Sequence, residues 1–455
     1  MTLRFGTDGI RGVAHLDLTP EFAVRFGRAL AAHLPPGPVL LARDTRLSGD
    51  MLEGALLAGL LTAGRSVVSA GVMPTPALAF LTRISDAVLG VMISASHNPV
   101  DDNGFKCFDG SGFKLSDETE RAIEQDLVSP TLPRALPATH PGLRRDTTLV
   151  ERYSAEILRG ATSLQGYTVV IDAAFGAAYA VAPAAFTALG ATVHVLNGEA
   201  DGARINVDCG ATDLRMLAAR VREIGGERVV GVAFDGDADR VRFVDERGTS
   251  VDGDAILLAL ARDLHQRGEL PGATVVGTVM SNLAFERGLE RESLHLLRTA
   301  VGDRYILQAM QEHGLRFGGE PSGHIIDLAR NTTGDGPGTA IAVVSLLARQ
   351  HIALSELVGD YRPYPQVLVN VPLARRSALH ESPRVLAAVA AAQARLGPEG
   401  RILIRPSGTE PLMRVMVEGA DEHAVSRLAH ELAEEIRLLA EEEKGIGVAA
   451  QISPV

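Results

Sequence analysis

The chain has almost no cysteine, and this scarcity excludes several classes of site. Only Cys107 and Cys209 occur among 455 residues, so neither a disulfide framework nor a cysteine-based zinc site is expected. So little cysteine suits a reducing compartment. Residues 1–8 lack an apolar signal segment, and the uncharged run 173–196 is interrupted by glycine, proline and histidine. We therefore expect a cytoplasmic protein without a membrane span.

An excess of basic charge and the common nucleotide-binding motifs are also missing. The formal net charge of −12 argues against a nucleic-acid or anionic-membrane partner. A local basic cleft is compatible with this balance, so an anionic small molecule remains open as a substrate. No P-loop is present, and no G-x-G-x-x-G follows a predicted strand. Nucleotide cofactors are therefore not expected.

Lysine is nearly absent as well. Lysine and arginine together number 44, of which only Lys106, Lys114 and Lys444 are lysines. Lys444 lies in a predicted polar C-terminal helix, whereas the other two lysines follow the turn that is predicted at residues 98–104. A buried lysine can shift its pKa and move protons, which arginine does not do. Lys106 and Lys114 are thus candidates for proton transfer, with two solvated loop lysines as the alternative.

Three stretches of the chain repeat the order strand, polar loop, amphipathic helix, strand. They cover residues 39–68, 168–195 and 274–297. Strands that alternate with helices predict α/β domains with mixed, mostly parallel sheets, and the recurrence predicts three related domains.

The last quarter has a different pattern, with two strand-like runs at 401–404 and 414–417 before a helix at 421–443. This predicts a smaller C-terminal α+β domain. Prolines cluster in linkers at 130–141 and 361–365, and turn residues gather at 245–254. The predicted domains are therefore 1–150, 151–250, 251–365 and 366–455.

One serine occupies the position of a nucleophile. The apolar run 87–93 predicts a buried strand, and Asn98-Pro99 with residues 101–104 predicts a sharp turn after it. Ser96 lies where the strand gives way to the turn, so its hydroxyl is well placed to react.

A cluster of carboxylates follows the predicted strand 229–234. Asp235, Asp237 and Asp239 are spaced two residues apart, and oxygen ligands suit a hard cation such as magnesium. An EF-hand calcium loop is the main rival, because Glu246 occupies its twelfth position. Arg240 stands where that loop requires glycine, however, and could instead contact a phosphate held by the same metal. A solvated acidic loop is the remaining alternative.

Two further loops carry polar groups. Residues 405–410 combine a guanidinium, two hydroxyls and backbone N–H groups freed by Gly408, which suits a phosphate, with an ordinary hairpin turn as the alternative. Residues 318–324 are expected to follow a strand. They carry Glu320, Ser322 and His324, which could hold sugar hydroxyls or shuttle a proton.

Taken together, these loops resemble the α-D-phosphohexomutase superfamily over essentially the whole chain. Four motifs carry the resemblance in the expected order: 94–99 (SASHNP), 235–240 (DGDADR), 319–324 (GEPSGH) and 405–411 (RPSGTEP). Within the superfamily the chain is most similar to the bacterial phosphoglucosamine mutases. Further matching segments are 6–12 (GTDGIRG), 206–213 (NVDCGATD) and 301–305 (VGDRY).

The resemblance implies four domains around a central cleft, with one loop from each. It implies that Ser96 is phosphorylated and that Mg2+ binds this phosphate. The implied roles of the other residues are metal binding by Asp235, Asp237 and Asp239; proton transfer and charge stabilisation by Arg11, Lys106 and His324; binding of sugar hydroxyls by Glu320 and Ser322; and binding of the non-reacting phosphate by Arg405, Ser407, Gly408, Thr409 and Arg414.

The activity implied is interconversion of glucosamine 6-phosphate and glucosamine 1-phosphate through a 1,6-bisphosphate. A hexose or hexosamine 1,6-bisphosphate is the expected activator, and a homodimer is expected because it is common in this branch. Pro321 departs from the glutamine usual in glucosamine-specific relatives and from the methionine frequent in glucose or mannose relatives. Glucose or mannose phosphates therefore remain the alternative substrates. Other classes left open are a sugar-phosphate-binding regulator without catalysis and a metal-dependent phosphatase.

Overall fold

The computed structural model describes residues 3–129, 141–373, 378–406 and 411–449. The chain forms two compact units: the first comprises Met1–Met280 with Glu292–Asp360, and the second comprises Ser281–Arg291 with Tyr361–Val455. Among the described residues, no helix combines the length and the apolar character needed to cross a bilayer.

The first α/β domain contains a six-stranded sheet in the order β1-β5-β4-β2-β3-β6. Strands β4, β2, β3 and β6 run parallel, and β1 and β5 are antiparallel to their neighbours. Every residue of the central strand β4 is buried, as expected for a strand covered on both faces. The elements are β1 Ile10–Val13, α1 Pro20–His33, β2 Val39–Arg43, α2 Gly49–Thr62, β3 Val67–Val72, α3 Thr75–Arg83, β4 Leu89–Ile93, β5 Asp102–Asp109, α4 Asp117–Val128 and β6 Leu143–Arg145.

The second α/β domain contains a five-stranded sheet in the order β11-β10-β9-β7-β8. Strands β9, β7 and β8 are parallel, and β10 and β11 add an antiparallel edge. The elements are α5 Val150–Leu158, β7 Thr168–Asp172, α6 Val181–Ala188, β8 Thr192–Leu196, α7 Arg215–Ile224, β9 Val229–Phe234, β10 Val241–Val244 and β11 Ser250–Val251.

The third sheet has four strands in the order β13-β12-β14-β15, and only β15 is antiparallel. Its elements are α8 Gly253–Gln266, β12 Thr274–Thr278, α9 Leu283–Arg291, β13 His295–Thr299, α10 Asp303–Glu312, β14 Phe317–Gly319, β15 Ile325–Asp327, α11 Gly336–Gln350 and α12 Leu354–Leu357. Helix α9 falls between two of these strands in sequence but belongs to the second compact unit. Short 3-10 turns occur at Thr147–Leu149, Gly210–Thr212, Pro271–Ala273 and Leu379–Glu381.

The second unit is built on an antiparallel sheet in the order β16-β18-β17. Its elements are β16 Gln366–Pro372, α13 Pro383–Leu396, β17 Gly400–Pro406, β18 Leu412–Gly419 and α14 Glu422–Ala449. Apolar residues at helical spacing on α14, such as Val425, Leu428 and Leu432, pack with Val415 and Val417 into the core of this unit. Helix α9 joins it through the backbone N–H of Leu283, which donates to the buried carboxylate of Glu418 at 2.8 Å.

The three α/β domains share one feature that places the polar loops. In each, a strand of the parallel part is followed directly by an antiparallel neighbour: β4 by β5, β9 by β10, and β14 by β15. The hairpins enclose residues 94–101, 235–240 and 320–324. Each hairpin therefore carries one of the motifs noted in the sequence.

Two local expectations were wrong. The turn after Ser96 is shorter than expected, because Asp102, Asn103 and Gly104 already belong to β5, where they pair with β1. Gly318 and Gly319 are part of β14 and pair with β15, so the loop begins at Glu320. In both cases pairing with a distant or adjacent strand satisfies backbone groups that the local sequence assigns to a turn. The predicted linker 130–141 lies outside the described residues except for its last position.

Candidate active site

Ser96 is completely buried and has a strained backbone. Its φ of 54° lies in the left-handed region, which costs a residue with a Cβ roughly 1–2 kcal/mol. The Ser96 hydroxyl donates to Oδ2 of Asp235 at 2.6 Å. The Nδ1 atom of His97 lies 3.3 Å from the same hydroxyl. Burial, together with the charges of Arg240 and Arg11, lowers the pKa of His97 to about 4.

Asp235, Asp237 and Asp239 form a buried carboxylate triad, with one oxygen of each within 4.8 Å of the others. Gly236 allows the triad loop to approach the serine loop, since a Cβ at this position would lie 2.6 Å from the Ser96 carbonyl oxygen. Burial and the negative charges of Asp239 and Asp237 raise the pKa of Asp235 to about 7. The triad thus concentrates negative charge that needs a cation nearby.

The free oxygens of the triad fit a metal ion. Within the described part of the chain, the buried Oδ1 atoms of Asp237 and Asp239 have no hydrogen-bond donor. The Nδ1 atom of His324 lies 3.6 Å from the Oδ1 atom of Asp239. A hard divalent cation prefers such carboxylate oxygens, and the hydroxyl of Ser96 adjoins the same site. The donor set therefore suits magnesium better than a soft metal.

Lys106 supplies part of the positive charge. Its Nζ lies 2.7 Å from Asp237 Oδ2, 2.7 Å from Asp239 Oδ2 and 3.0 Å from Asp8 Oδ2. Burial by itself lowers the pKa of a lysine, but these three carboxylates outweigh it and raise the pKa of Lys106 well above its ordinary value. Lys106 is therefore a protonated ammonium that can donate a proton or stabilise negative charge.

Lys114 and Arg11 extend this network of charges. Lys114 contacts Asp8 Oδ1 at 2.9 Å and Asp303 Oδ2 at 2.6 Å. Arg11 forms an ion pair with Asp8 and donates to Asn98 Oδ1 at 2.7 Å, next to the serine loop. Both early lysines are thus held in ion pairs, and the interpretation of Lys106 and Lys114 as solvated loop lysines is wrong.

His324 joins the third domain to the triad. Its Nδ1 lies 3.6 Å from Asp239 Oδ1, and its Nε2 lies 3.6 Å from Asp303 Oδ2. Burial alone would lower the pKa of this histidine, but Asp239 and Asp303 outweigh it and raise the pKa to about 9. His324 is therefore a cation at neutral pH when no ligand is bound.

The remaining predicted residues of the first unit lie at the edge of this cluster. Ser322 donates to Glu320 Oε2 at 3.2 Å, and the backbone N–H of Gly302 donates to Glu320 Oε1 at 3.1 Å. The Nε of Arg240 lies 3.9 Å from Asp239 Oδ1. Burial by itself lowers the pKa of Arg240, but the charges of Asp239, Asp235 and Glu320 outweigh it and raise this pKa. The guanidinium is therefore a cation close to the triad and to Glu320.

Arg405 and Arg414 belong to the second unit, where they are directly opposite each other on β17 and β18. Burial and the positive charge of Arg414 lower the pKa of Arg405. Like charges facing each other across a strand pair favour an anion between them. Ser407, Gly408 and Thr409 lie outside the described residues.

Several residues that support the site were not singled out individually from the sequence. Thr75 donates to Asp237 through both its backbone N–H and its hydroxyl. Asn206 donates to the carbonyl oxygen of Ser96 at 2.9 Å. Arg46 donates to that oxygen as well. Asn206 and Asp303 lie in the segments that carry the family resemblance, which is a usable signal, whereas Thr75 and Arg46 carry none beyond following buried strands.

Comparison with known proteins identifies the family. The models for phosphoglucomutase/phosphomannomutase domains I, II, III and C-terminal match residues 2–132, 151–248, 252–364 and 368–435. The phosphoglucosamine mutase of Thermoanaerobacter sp. (strain X514) is 47% identical over 95% of this chain and 98% of its own length. That of Moorella thermoacetica is 48% identical over 93% of this chain and 97% of its own length.

A solved structure has the same fold. The crystal structure of a phosphoglucomutase/phosphomannomutase family protein from Burkholderia thailandensis superimposes with a TM-score of 0.81 at 24% identity, covering 96% of this chain and 97% of the other. The predicted fold class, three α/β domains with mixed sheets and a C-terminal α+β domain, is therefore confirmed. The chain belongs to the phosphoglucomutase/phosphomannomutase family, within the α-D-phosphohexomutase superfamily.

Proposed function

We propose that this enzyme interconverts glucosamine 6-phosphate and glucosamine 1-phosphate through a phosphorylated Ser96. The observation that carries the proposal is the 2.6 Å hydrogen bond from the buried Ser96 hydroxyl to Asp235, within a triad of carboxylates that fits a metal. Relatives with 47–48% identity over nearly the whole chain bear the name phosphoglucosamine mutase, which supports the choice of sugar.

The transfer step balances without any further reactant. The P–O bond to Ser96 Oγ breaks, a P–O bond to the free hydroxyl oxygen of the sugar monophosphate forms, and the hydroxyl proton passes to Ser96 Oγ. The bound 1,6-bisphosphate then reorients, so that its other phosphate faces Ser96. The reverse step transfers this other phosphoryl group to Ser96. A 1,6-bisphosphate is accordingly the activator that would restore an enzyme whose serine has lost its phosphate.

The metal is assigned to Asp235, Asp237 and Asp239 together with the phosphate on Ser96. Magnesium bound there would neutralise charge on the transferring phosphoryl group. Arg11 and Lys106 bring fixed positive charge to the same region through their contacts with Asp8, Asn98 and the triad. Because phosphoryl transfer depends mainly on positioning and electrostatic stabilisation, these cations are suited to that role.

Recognition of the sugar is assigned to the third domain and to the second unit. Glu320 and Ser322 offer a carboxylate and a hydroxyl to the sugar hydroxyls, and His324 can hold or pass a proton at Nδ1 or Nε2. Arg240 can bind the reacting phosphate, next to the triad. The non-reacting phosphate is assigned to the residues that the family resemblance implies for it, namely Arg405, Ser407, Gly408, Thr409 and Arg414.

A comparison of substrates tests the choice of sugar. We would measure kcat/KM for glucosamine, glucose and mannose 6-phosphates with magnesium and a trace of glucose 1,6-bisphosphate. A preference for the amino sugar of at least about tenfold is expected, the scale of discrimination available from one or two well-placed contacts. The variant Pro321→Gln serves as the matched control, and we expect it to keep the same preference.

Preference for glucose or mannose 6-phosphate would overturn the choice of sugar. The Ser96 mechanism would then belong to a phosphoglucomutase or phosphomannomutase, and a gain of amino-sugar preference in Pro321→Gln would identify Pro321 as the cause. Release of free phosphate as the main product would instead indicate a phosphatase.

A further inference from the structure

Arg46 is a fully buried arginine that donates most of its side-chain hydrogen bonds to the segment that carries Ser96. Its side chain has no solvent-exposed surface. Its Nε donates to Asp44 Oδ2 at 3.1 Å, and this carboxylate compensates its charge. The two terminal nitrogens donate to the backbone carbonyls of Ser96 at 3.0 Å, Asn98 at 2.8 Å and Asp102 at 2.8 Å, and to that of Pro99.

These bonds use all five N–H groups of the guanidinium. Four of the acceptors are backbone carbonyl oxygens of one short segment, residues 96–102, which runs from the loop after β4 to the first residue of β5. Lysine has three donors on a single nitrogen and lacks the planar fork, so it cannot satisfy these carbonyls in the same geometry. The arrangement is therefore specific to arginine.

Asp44, the ion-pair partner of Arg46, is linked through Ser94 to the backbone N–H of Ser96. Asp44 Oδ2 also accepts the hydroxyl of Ser94 at 2.6 Å, and the Ser94 oxygen accepts the backbone N–H of Ser96 at 2.9 Å. Both backbone polar groups of Ser96 are thus fixed by one chain of contacts through Asp44 and Arg46. Because Ser96 has a φ of 54°, which serine rarely adopts, it needs such fixation to stay in place.

We propose that Arg46 is a positioning residue for phosphoryl transfer, holding Ser96 in its left-handed conformation so that Oγ faces the triad. The inference rests on the proposed function of Ser96. Arg46 itself touches neither the triad carboxylates nor the Ser96 hydroxyl. Its loss is therefore expected to slow transfer without weakening the metal site directly. Phosphoryl transfer is sensitive to small displacements of the reacting atoms, which makes such an effect measurable.

The test compares Arg46→Lys with a matched arginine elsewhere in the same domain. Arg65 also donates to backbone carbonyls, those of Ala31, Leu34 and Pro35 at the end of α1, but contacts no residue of the site. The readouts are the single-turnover rate of phosphoryl loss from Ser96, KM, Mn2+ affinity and thermal stability. Both substitutions should lower the melting temperature.

For Arg46→Lys we expect a single-turnover rate about 100-fold below wild type, the scale of a small misplacement of reacting groups, with KM and Mn2+ affinity within about threefold. Arg65→Lys should keep the wild-type rate per folded molecule. Equal rates for the two variants, at matched folded fraction, would overturn the proposal. If Arg46→Lys does not fold, Ser94→Ala provides the second test, because it removes the contacts of the Ser94 hydroxyl to the Ser96 N–H and to Asp44 and leaves the guanidinium of Arg46 in place. It should slow transfer about tenfold, and a folded Ser94→Ala enzyme with the wild-type rate would also overturn the proposal.

The wild-type control separates this inference from the proposed function. If Ser96 carries no phosphoryl group that turns over in the wild type, the proposed function fails before Arg46 is considered. If wild-type Ser96 turns over and Arg46→Lys matches Arg65→Lys, only the role of Arg46 fails.

Discussion

At the scale of single residues, the site consists of buried charges that compensate one another. Asp237 illustrates this, because its Oδ2 contacts Lys106 at 2.7 Å while its buried Oδ1 has no hydrogen-bond donor in the described part of the chain. Leaving a buried carboxylate oxygen unsatisfied is costly unless a ligand satisfies it. The orphaned oxygen is thus a structural reason to expect a cation.

We predict that Asp237→Asn weakens metal binding. The amide removes one negative charge from the triad, and even partners outside the first coordination shell commonly change metal affinity by about 10–100-fold, so at least this loss is expected. The measurement is a Mn2+ titration by calorimetry or electron paramagnetic resonance on folded protein, with no need for activity.

A buried aspartate of the same domain provides the control for this experiment. Asp245 is 6% exposed and accepts the backbone N–H groups of Arg247 and Thr249 in the turn after β10. Asp245→Asn should lower stability and leave Mn2+ affinity unchanged. Wild-type affinity in Asp237→Asn would remove this residue from the metal site.

At the scale of elements, one hairpin in each α/β domain carries a loop of the candidate site. The parallel strands β2, β4, β7, β9 and β12 are continuous apolar runs, so the sequence alone predicts them closely. Their antiparallel neighbours are harder to predict, since β1 and β5 contain glycine, aspartate and asparagine and exist because they pair with each other.

The candidate site was predictable to the extent that its residues lie in recognisable motifs. Ser96 and the triad follow buried strands, which marks them as candidates without any structure. The support by Arg46 was not predictable, because its acceptors are backbone carbonyls 50 or more positions away in the chain. Every residue has a backbone carbonyl, so the amino-acid sequence does not show which carbonyls accept a hydrogen bond.

A further prediction concerns Arg405 on strand β17 of the C-terminal sheet. Arg405→Gln should raise KM for the sugar phosphate about 10–100-fold with a smaller fall in kcat, because a hydrogen bond to a charged group contributes about 1.5–3 kcal/mol. Removal of one of two facing cations should also leave the unliganded enzyme as stable as wild type or slightly more stable. Steady-state kinetics and thermal unfolding measure both effects.

Arg395→Gln is the matched control within the same unit. Arg395 lies on α13 and pairs with Glu431 on α14 through an exposed contact of 2.6 Å. Exposed pairs of this kind contribute little to stability, so both KM and stability should stay near wild type. An unchanged KM in Arg405→Gln would exclude Arg405 from phosphate binding.

At the scale of the whole molecule, an acidic chain acts on an anionic substrate by concentrating its cations locally. The net charge is −12, yet Lys106, Arg240 and His324 border one buried triad. Arg11 pairs with Asp8, which also contacts Lys106. Within the second unit, Arg405 and Arg414 lie directly opposite each other on β17 and β18. The overall charge therefore does not decide the sign of the substrate, which depends on the local arrangement of the cations.

The most direct measurement of this account follows the phosphoryl group on Ser96. The wild-type enzyme is loaded with glucose 1,6-bisphosphate, freed of small molecules, and digested for mass spectrometry before and after addition of glucosamine 6-phosphate. The account predicts one phosphoryl group on the peptide that contains Ser96, its loss on addition of the sugar, and formation of bisphosphate in equal amount. Ser96→Ala should take up no phosphate and lose turnover by about 10⁴-fold or more.

The exposed Ser111 of the same domain, changed to alanine, should behave as wild type. Turnover that continues while the peptide stays unphosphorylated, or while its phosphate persists unchanged, would contradict the account.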